Sequence, residues 1–371
     1  MTTRIAPPRT AKAVVLASAT LTIMAAAIIA PSLPAMGEVY GEGVLVRLAL
    51  TITSLAIAVS APLAGLVADR FGRKPLLLAG LAGYAVSGTA GYFVTSLPVL
   101  LATRTVLGLA VGGIMTAVSA LITDWFDGPE RGRFLGLQQA FASLGGVVFL
   151  PLAGVLAGIG WRLPFWLYGV AALVAVAAVG LREEPRPAEK AVGKGFPSRA
   201  VWIYLLAFVA TLVFYMAPTQ LPFLLRDLGA GPAVIGVVVA GSTLTGAVGA
   251  LVFPGLPRGK LTAVSIVLLG AGWLVIGIAH GVPLVTAGLL VGGFGIGLSV
   301  PNLNLRLADL APPAHRGRVL SGLVAGIFLG QFLSPLVLAP LVQLGIGTAF
   351  VWTGVVTTTA GAVLALTYKE N

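Results

Sequence analysis

The chain has no cysteine, only two histidines and very little charge. Without cysteine there is no disulfide framework, no thiol chemistry and no thiolate metal site. His280 and His315 stand alone, so no histidine cluster offers itself to a metal. No nucleophile–base set is legible either, which argues against an enzyme, and no cofactor is expected. Only 9% of the residues are charged, against about 25% in a soluble domain. So small a polar complement could not cover the surface of a water-soluble fold.

What replaces charge is hydrocarbon: 58% of the residues are hydrophobic, and they fall into long uncharged runs of the kind that lipid demands. A spanning helix needs about 20 mainly apolar residues. Twelve such segments are expected, at 13–35, 47–68, 75–95, 98–122, 134–158, 163–181, 201–225, 232–253, 261–279, 282–305, 319–342 and 348–368. The first run is too long for a signal-peptide core and has no convincing cleavage site, so it reads as the first membrane helix. The net charge of +11 points to topology rather than to nucleic acid, because basic residues of membrane proteins crowd the cytoplasmic loops. With the N-terminus inside, the inner loops hold 19 Lys and Arg residues and the outer ones only Arg47, Arg162 and Arg226. An even helix count with both termini cytoplasmic fits that asymmetry.

The two halves repeat at a shift of 185 residues. Gly108 falls on Gly293, Gly112 on Gly297 and Asp124 on Asp309. Arg131-Gly132-Arg133 falls on Arg316-Gly317-Arg318, Leu144-Gly145 on Leu329-Gly330, Phe165 on Phe350 and Gly169 on Gly354. The shift preserves an even number of spans, so the halves share one orientation. A parallel repeat of this kind implies an axis along the membrane normal and a solute site between the halves near mid-membrane. The expected fold is an all-α membrane protein of twelve transmembrane helices in two parallel six-helix repeats. One bundle is expected over residues 1–185, a cytoplasmic central loop over 186–199 and a second bundle over 200–371.

The loop after the second span reads Gly65-Leu66-Val67-Ala68-Asp69-Arg70-Phe71-Gly72-Arg73-Lys74. It resembles the signature loop of the major facilitator superfamily, G-x-L-x-D-R-x-G-R-K, except at Val67. Gly72 permits a tight turn, and Asp69 can pair with a basic neighbour or with amides at a helix N-terminus, contacts that lock one conformation and break in another. In the second half the matching loop, Pro257-Arg258-Gly259-Lys260, lacks the acid, so the gate should be asymmetric. Arg104, followed by Gly108, resembles the R-x-x-x-G motif of the same family and is a proton-coupling candidate on that resemblance; snorkelling or helix bracing is the alternative. Gly146, Pro151 and Gly154 look like a worn form of the family's glycine–proline antiporter motif, although packing alone could explain them. Asp124, Arg131, Arg133, Asp309, Arg316 and Arg318 are candidate inner-gate charges, with topogenic roles as the plainer reading. The resemblance implies alternating access by rocking of the two bundles.

Polar residues inside the spans are few, and each is a candidate for the cavity. They are Gln138, Gln139, Tyr215, Thr219, Gln220, Asn302, Asn304 and Gln331. Pro31, Pro34 and Pro218 are candidate flexing points. No Asp or Glu falls at mid-membrane; any proton coupling would involve Asp69, Glu38 or Glu42, or a proton on the substrate. So lightly polar a cavity suits neutral or lipophilic solutes. The expectation is a secondary transporter, proton-coupled and exporting small lipophilic compounds in the manner of the family's drug:proton antiporters. A carrier of sugars, small metabolites or organic anions is the alternative, and a non-transporting receptor a remote one. The expected partners are a small-molecule substrate, protons and the bilayer, with no nucleic acid. A monomer in the bacterial inner membrane is expected.

Overall fold

The structure, a computed structural model, describes residues 7–181, 200–257, 260–310 and 316–367, without the side chains of Pro62, Pro129 and residues 316–318. Every regular element among the described residues is helical. The twelve spans are α1 (Arg9–Tyr40), α2 (Val44–Phe71), α3 (Arg73–Ala90), α4 (Leu97–Trp125), α5 (Gly128–Ile159), α6 (Leu163–Val179), α7 (Ala200–Asp227), α8 (Pro232–Val252), α9 (Leu261–Gly277), α10 (Val282–Leu310), α11 (Arg316–Val337) and α12 (Ile346–Thr367). Nine of these stretches are long and apolar enough to cross a membrane by themselves. The remaining three, α3, α6 and α9, are shorter or more polar. An even number of spans returns the chain to the side on which it began, called here the terminal end.

Two spans bend where proline removes a backbone donor. Regular helix in α1 stops at Ala27, four residues before Pro31, and resumes at Leu33. In α7 it stops at Phe214, four residues before Pro218, and resumes at Met216. Of the flexing points expected from sequence, Pro31 and Pro218 thus accompany breaks in regular helix, and Pro34 lies in the helix that resumes at Leu33. Small residues let the spans pack closely, as they must where lipid supplies no hydrophobic drive between helices. A Cβ on Gly272 of α9 would lie 2.4 Å from the Gly288 carbonyl oxygen of α10.

The packing obeys the repeat. Within the first half α1 packs on α5, α2 on α4, and α3 on α4 and α6. Within the second half α7 packs on α11, α8 on α10, and α9 on α10 and α12. Between the halves α5 meets α8 and α11 meets α2. The shift of 185 residues carries α5 into α11 and α2 into α8, so the two cross-contacts are related by the same axis.

Candidate transport pathway between the halves

The α5–α8 contact depends on missing side chains. A Cβ on Gly154 would stand 2.5 Å from the Pro232 carbonyl oxygen, and one on Gly236 2.5 Å from that of Leu150. A Cβ on Gly146 would lie 2.9 Å from the Thr243 methyl and 3.1 Å from that of Ile23. The glycines singled out around Pro151 therefore sit at the seam between the bundles. The α2–α11 contact is polar instead: Ser54 donates to Gln331 Oε1 at 2.8 Å, and Tyr215 of α7 lies beside the same serine. These three side chains bring both halves together in mid-span, beside the bend of α7.

Above this cluster, at the end away from the termini, charged and aromatic groups latch the halves. Arg47, 8% exposed, donates from Nε to Gln220 Oε1 at 2.8 Å and from Nη1 to the Glu42 carbonyl at 2.7 Å. Its guanidinium lies 4.4 Å from the ring centroid of Phe223, with that of Arg226 5.7 Å from the same ring. Arg226 in turn pairs with Glu42 across the halves and with Asp227 beside it. Gly37 leaves room for Glu42 and Phe223. Stacking on an aromatic face and partial desolvation both strengthen such cation contacts. Gln220, expected in the cavity, belongs to this latch. The latch was not legible in the sequence, where Arg47 and Arg226 counted only as the rare basic residues of the outer loops.

Toward the terminal end the halves part. Each residue of α5 from 135 to 140 is exposed or half-exposed on every helical face, which a stretch wedged between two bundles could not be. Gln138 lies here, reaching Ser119 of its own half at 3.5 Å, with Gln139 exposed beside it. The cleft therefore opens at the terminal end and is shut at the other.

The gate loop knits helices of the first half. Gly72 turns the chain with φ of +97°, a left-handed value glycine adopts freely. Arg73 pairs with Asp124 of α4 at 3.1 Å and more loosely with Asp69 at 3.8 Å. Lys74 donates to the Val179 carbonyl at the end of α6 at 2.6 Å. Gly65 and Arg70 are on the last turns of α2, with Arg70 against the Phe71 ring. Asp124 thus has a described partner in the gate loop. Arg131 pairs with Asp127 at 3.1 Å and caps the Phe126 carbonyl. Arg133 and Asp309 are exposed at the terminal end. The side chains of Arg316 and Arg318 lie outside the described residues, as do Arg258, Gly259, His315 and the expected central loop at 186–199.

Three further candidates turn away from the cleft. Arg104 is fully buried inside the first bundle, between α3, α4 and α6. It donates from Nη2 to the Gly88 and Ser87 carbonyls at 2.9 and 3.3 Å, and its guanidinium lies 4.8 Å from the ring of Tyr168 and 5.0 Å from that of Phe165. Those carbonyls belong to the last turn of α3, which lacks helix partners and favours a cation. Asn302 is 2% exposed and donates to Thr262 of α9 at 2.7 Å, beside Arg306 on the same hydroxyl. It braces the second bundle and does not reach the cleft. Thr219 bonds back to the Tyr215 carbonyl of its own helix.

A family model described as Major Facilitator Superfamily matches residues 15–203 and 203–371. The chain is 25% identical over 345 residues to the 3-(3-hydroxy-phenyl)propionate transporter of Escherichia coli, covering 89% of this chain and 82% of the relative. It is 26% identical over 325 residues to the bacillibactin exporter of Bacillus subtilis, covering 80% and 81%. A crystal structure of a D-xylose–proton symporter superposes with a TM-score of 0.80 at 16% identity, over 97% of this chain and 98% of the other.

Proposed function

The chain belongs to the Major Facilitator Superfamily and is a membrane transporter rather than an enzyme, and we propose that it exports small lipophilic or neutral compounds by proton-coupled alternating access. The two bundles, residues 1–185 and 200–371, are the rocking units. The terminal end is the cytoplasmic one, as the excess of basic residues there supports, and the membrane is the bacterial inner membrane. The state described is then open to the cytoplasm and closed outside.

The observation that carries this reading is the chemistry of the cleft. The polar side chains that meet across mid-span are Ser54, Tyr215 and Gln331, all uncharged at neutral pH. Among the described residues each Asp and Glu lies at a helix end or in a loop. A cleft of this kind gains nothing from a cationic solute and holds a neutral one through two or three hydrogen bonds and apolar contact. An exporter among the relatives supports the direction.

Glu42 is the proton site in this mechanism. Its pair with Arg226 joins one bundle to the other at the closed end. Protonation from outside removes the charge that holds Arg226 and loosens the latch. The outward-facing state then releases solute, and passage of the proton from Glu42 into the cleft and on to the cytoplasm re-forms the pair, so that proton entry accompanies solute exit. Arg104 serves as a brace of the first bundle rather than as the coupling group.

The test is purified protein in liposomes holding a pH-sensitive dye, challenged in turn with lipophilic amphiphiles, sugars and aromatic carboxylates. Proton flux driven by the lipophilic compounds, and lost in both Glu42→Gln and the gate variant Asp69→Asn, is the expected result. Flux that survives Glu42→Gln would remove Glu42 from the coupling. A second reading, transport of an aromatic carboxylate, is favoured by Arg47 stacked on Phe223 at the closed end of the cleft. Uptake of aromatic acids with no response to neutral lipophiles would select it.

A further inference from the structure

The register that relates the halves exposes a difference at their peripheries. In the first half the space between α1, α3, α4 and α6 is filled by Tyr84, Tyr168 and Arg104, all fully buried. The residues 185 positions on are Leu269, Thr353 and Leu289. Trp273, at the position matching Gly88, refills part of the lost volume and donates Nε1–H to the Val213 carbonyl at 3.1 Å. The remainder is a groove of about 380 Å³ between α7, α9, α12 and the short helix Ala339–Gln343 that follows α11. Leu269, Val213 and Leu338 wall it, and Val209, Trp352 and Val356 form its mouth, 52%, 55% and 64% exposed.

Two observations say what fills it. The mouth opens on faces of α7 and α12 that look out of the bundle, where the surrounding medium is hydrocarbon. Protein interiors do not tolerate voids of this size, because the lining forfeits its dispersion contacts. Secondly, Thr353 lines the groove, is 6% exposed, and has no hydrogen-bond partner for Oγ1 among the described residues. Seven residues into α12, it lies about 10 Å below the end away from the termini, and the groove continues past it for about 16 Å to Leu364. A ligand that suits both facts is a hydrocarbon chain with an oxygen acceptor at its upper end.

We propose that this groove binds one acyl chain of a membrane lipid from the leaflet opposite the termini, with the lipid's ester carbonyl accepting from Thr353 and the chain lying along α12 behind the bend of α7. Val213 stands next to Phe214, where α7 loses its regular ladder, so the chain braces the bend from the bilayer side. The first half meets the same need with its own side chains: Tyr84 and Tyr168 donate to the Leu21 and Ala25 carbonyls of α1 at 2.9 and 2.8 Å, below the bend at Ala27.

The full chain reconstituted in bilayers containing a phospholipid with a photoreactive group in its acyl chain provides the test. Labelled peptides from residues 206–213 and 352–364 should exceed those from the exposed face of α6 at Leu173 and Val176. Leu269→Tyr with Thr353→Tyr, which gives the groove the tyrosines of the first half, should lower groove labelling at least about fivefold, the change that roughly 1 kcal/mol of affinity produces, and leave α6 unaltered. If that variant does not fold, Ala360→Trp fills the groove from its exposed mouth with the same expected loss. Labelling no stronger than on α6, or unchanged by either filling, overturns the proposal. So does displacement of the lipid label by a photoreactive lipophilic solute, which would make the groove a solute site.

Discussion

The two halves of this transporter share a register, a packing order and a pair of bent helices, yet they solve the same local problems with different chemistry. Where α1 bends, the first half caps it with two tyrosine hydroxyls and backs them with a buried arginine. Where α7 bends, the second half uses one tryptophan and leaves a groove. The seams differ as well. Gly154 and Gly236 bring α5 against α8 backbone to backbone, with Gly146 against the Thr243 side chain, whereas the position matching Gly146 is Gln331, which bonds Ser54 across the α2–α11 seam. The gate loop follows suit, since Asp69 has no acidic counterpart in the second half. A repeat fixes where helices cross; each half then remains free to tune rigidity and polarity separately. Here the first bundle is internally tied by Arg104 and the gate loop, and the second is more apolar.

The strongest way to break this contrast is Arg104→Ala. It strips the carbonyls at the end of α3 and opens a cavity beneath two aromatic rings, so a loss of about 3–5 kcal/mol is expected. Leu289→Ala, its counterpart, should cost about 2–3 kcal/mol. Thermal unfolding in detergent measures both; equal losses would mean that the arginine cluster gives the first half no special rigidity. Next is Gly154→Val at the tight seam, where a side chain must push α8 away. About 1–3 kcal/mol of strain is expected, together with faster proton leak or weakened closure at the latched end, read by accessibility of cysteines introduced at positions 37 and 223. The loose counterpart Ala339→Val should change neither.

Smaller effects sharpen the assignment of polar residues. Asn302→Ala should cost about 1–2 kcal/mol of stability by taking one of two donors from the Thr262 hydroxyl, with substrate KM unchanged. Gln331→Ala should raise KM while leaving unfolding nearly unaltered. The reverse pattern would move the cleft to α10. The smallest stability effect is expected at the latch, where Glu42→Gln removes a pair whose side chains are 49% and 30% exposed. Such pairs contribute about 0–1 kcal/mol. Its signature is kinetic: solute exchange measured without a proton gradient rises with salt in the parent protein, loses that salt dependence in Glu42→Gln, and recovers it in Glu42→Arg with Arg226→Glu.

The membrane class, the twelve spans and the family were legible because each rests on a signal carried by consecutive residues. Hydrocarbon runs measure the bilayer, the Asp69–Lys74 string is one loop, and the 185-residue shift needs no structure to see. Proline placed both bends for the same reason, since Pro31 and Pro218 act on carbonyls four residues away. Polar residues were harder to place. Asn302, Gln220 and Gln331 look alike in sequence, yet one braces a bundle, one joins the latch and one faces the cleft. Which side of a helix meets the other half depends on crossing geometry that periodicity does not carry in a chain apolar all round.

By itself, then, the sequence determined the solvent this protein lives in, its repeat and its family, because composition and short-range order act along the chain. Only the tertiary structure decided that Arg104 faces inward to its own bundle, that Arg47, Glu42 and Arg226 meet Gln220 and Phe223 across the closed end, and that the second half keeps a groove where the first keeps tyrosines. Those outcomes depend on side chains from four or five spans converging within a few ångströms, and no single segment contains that information.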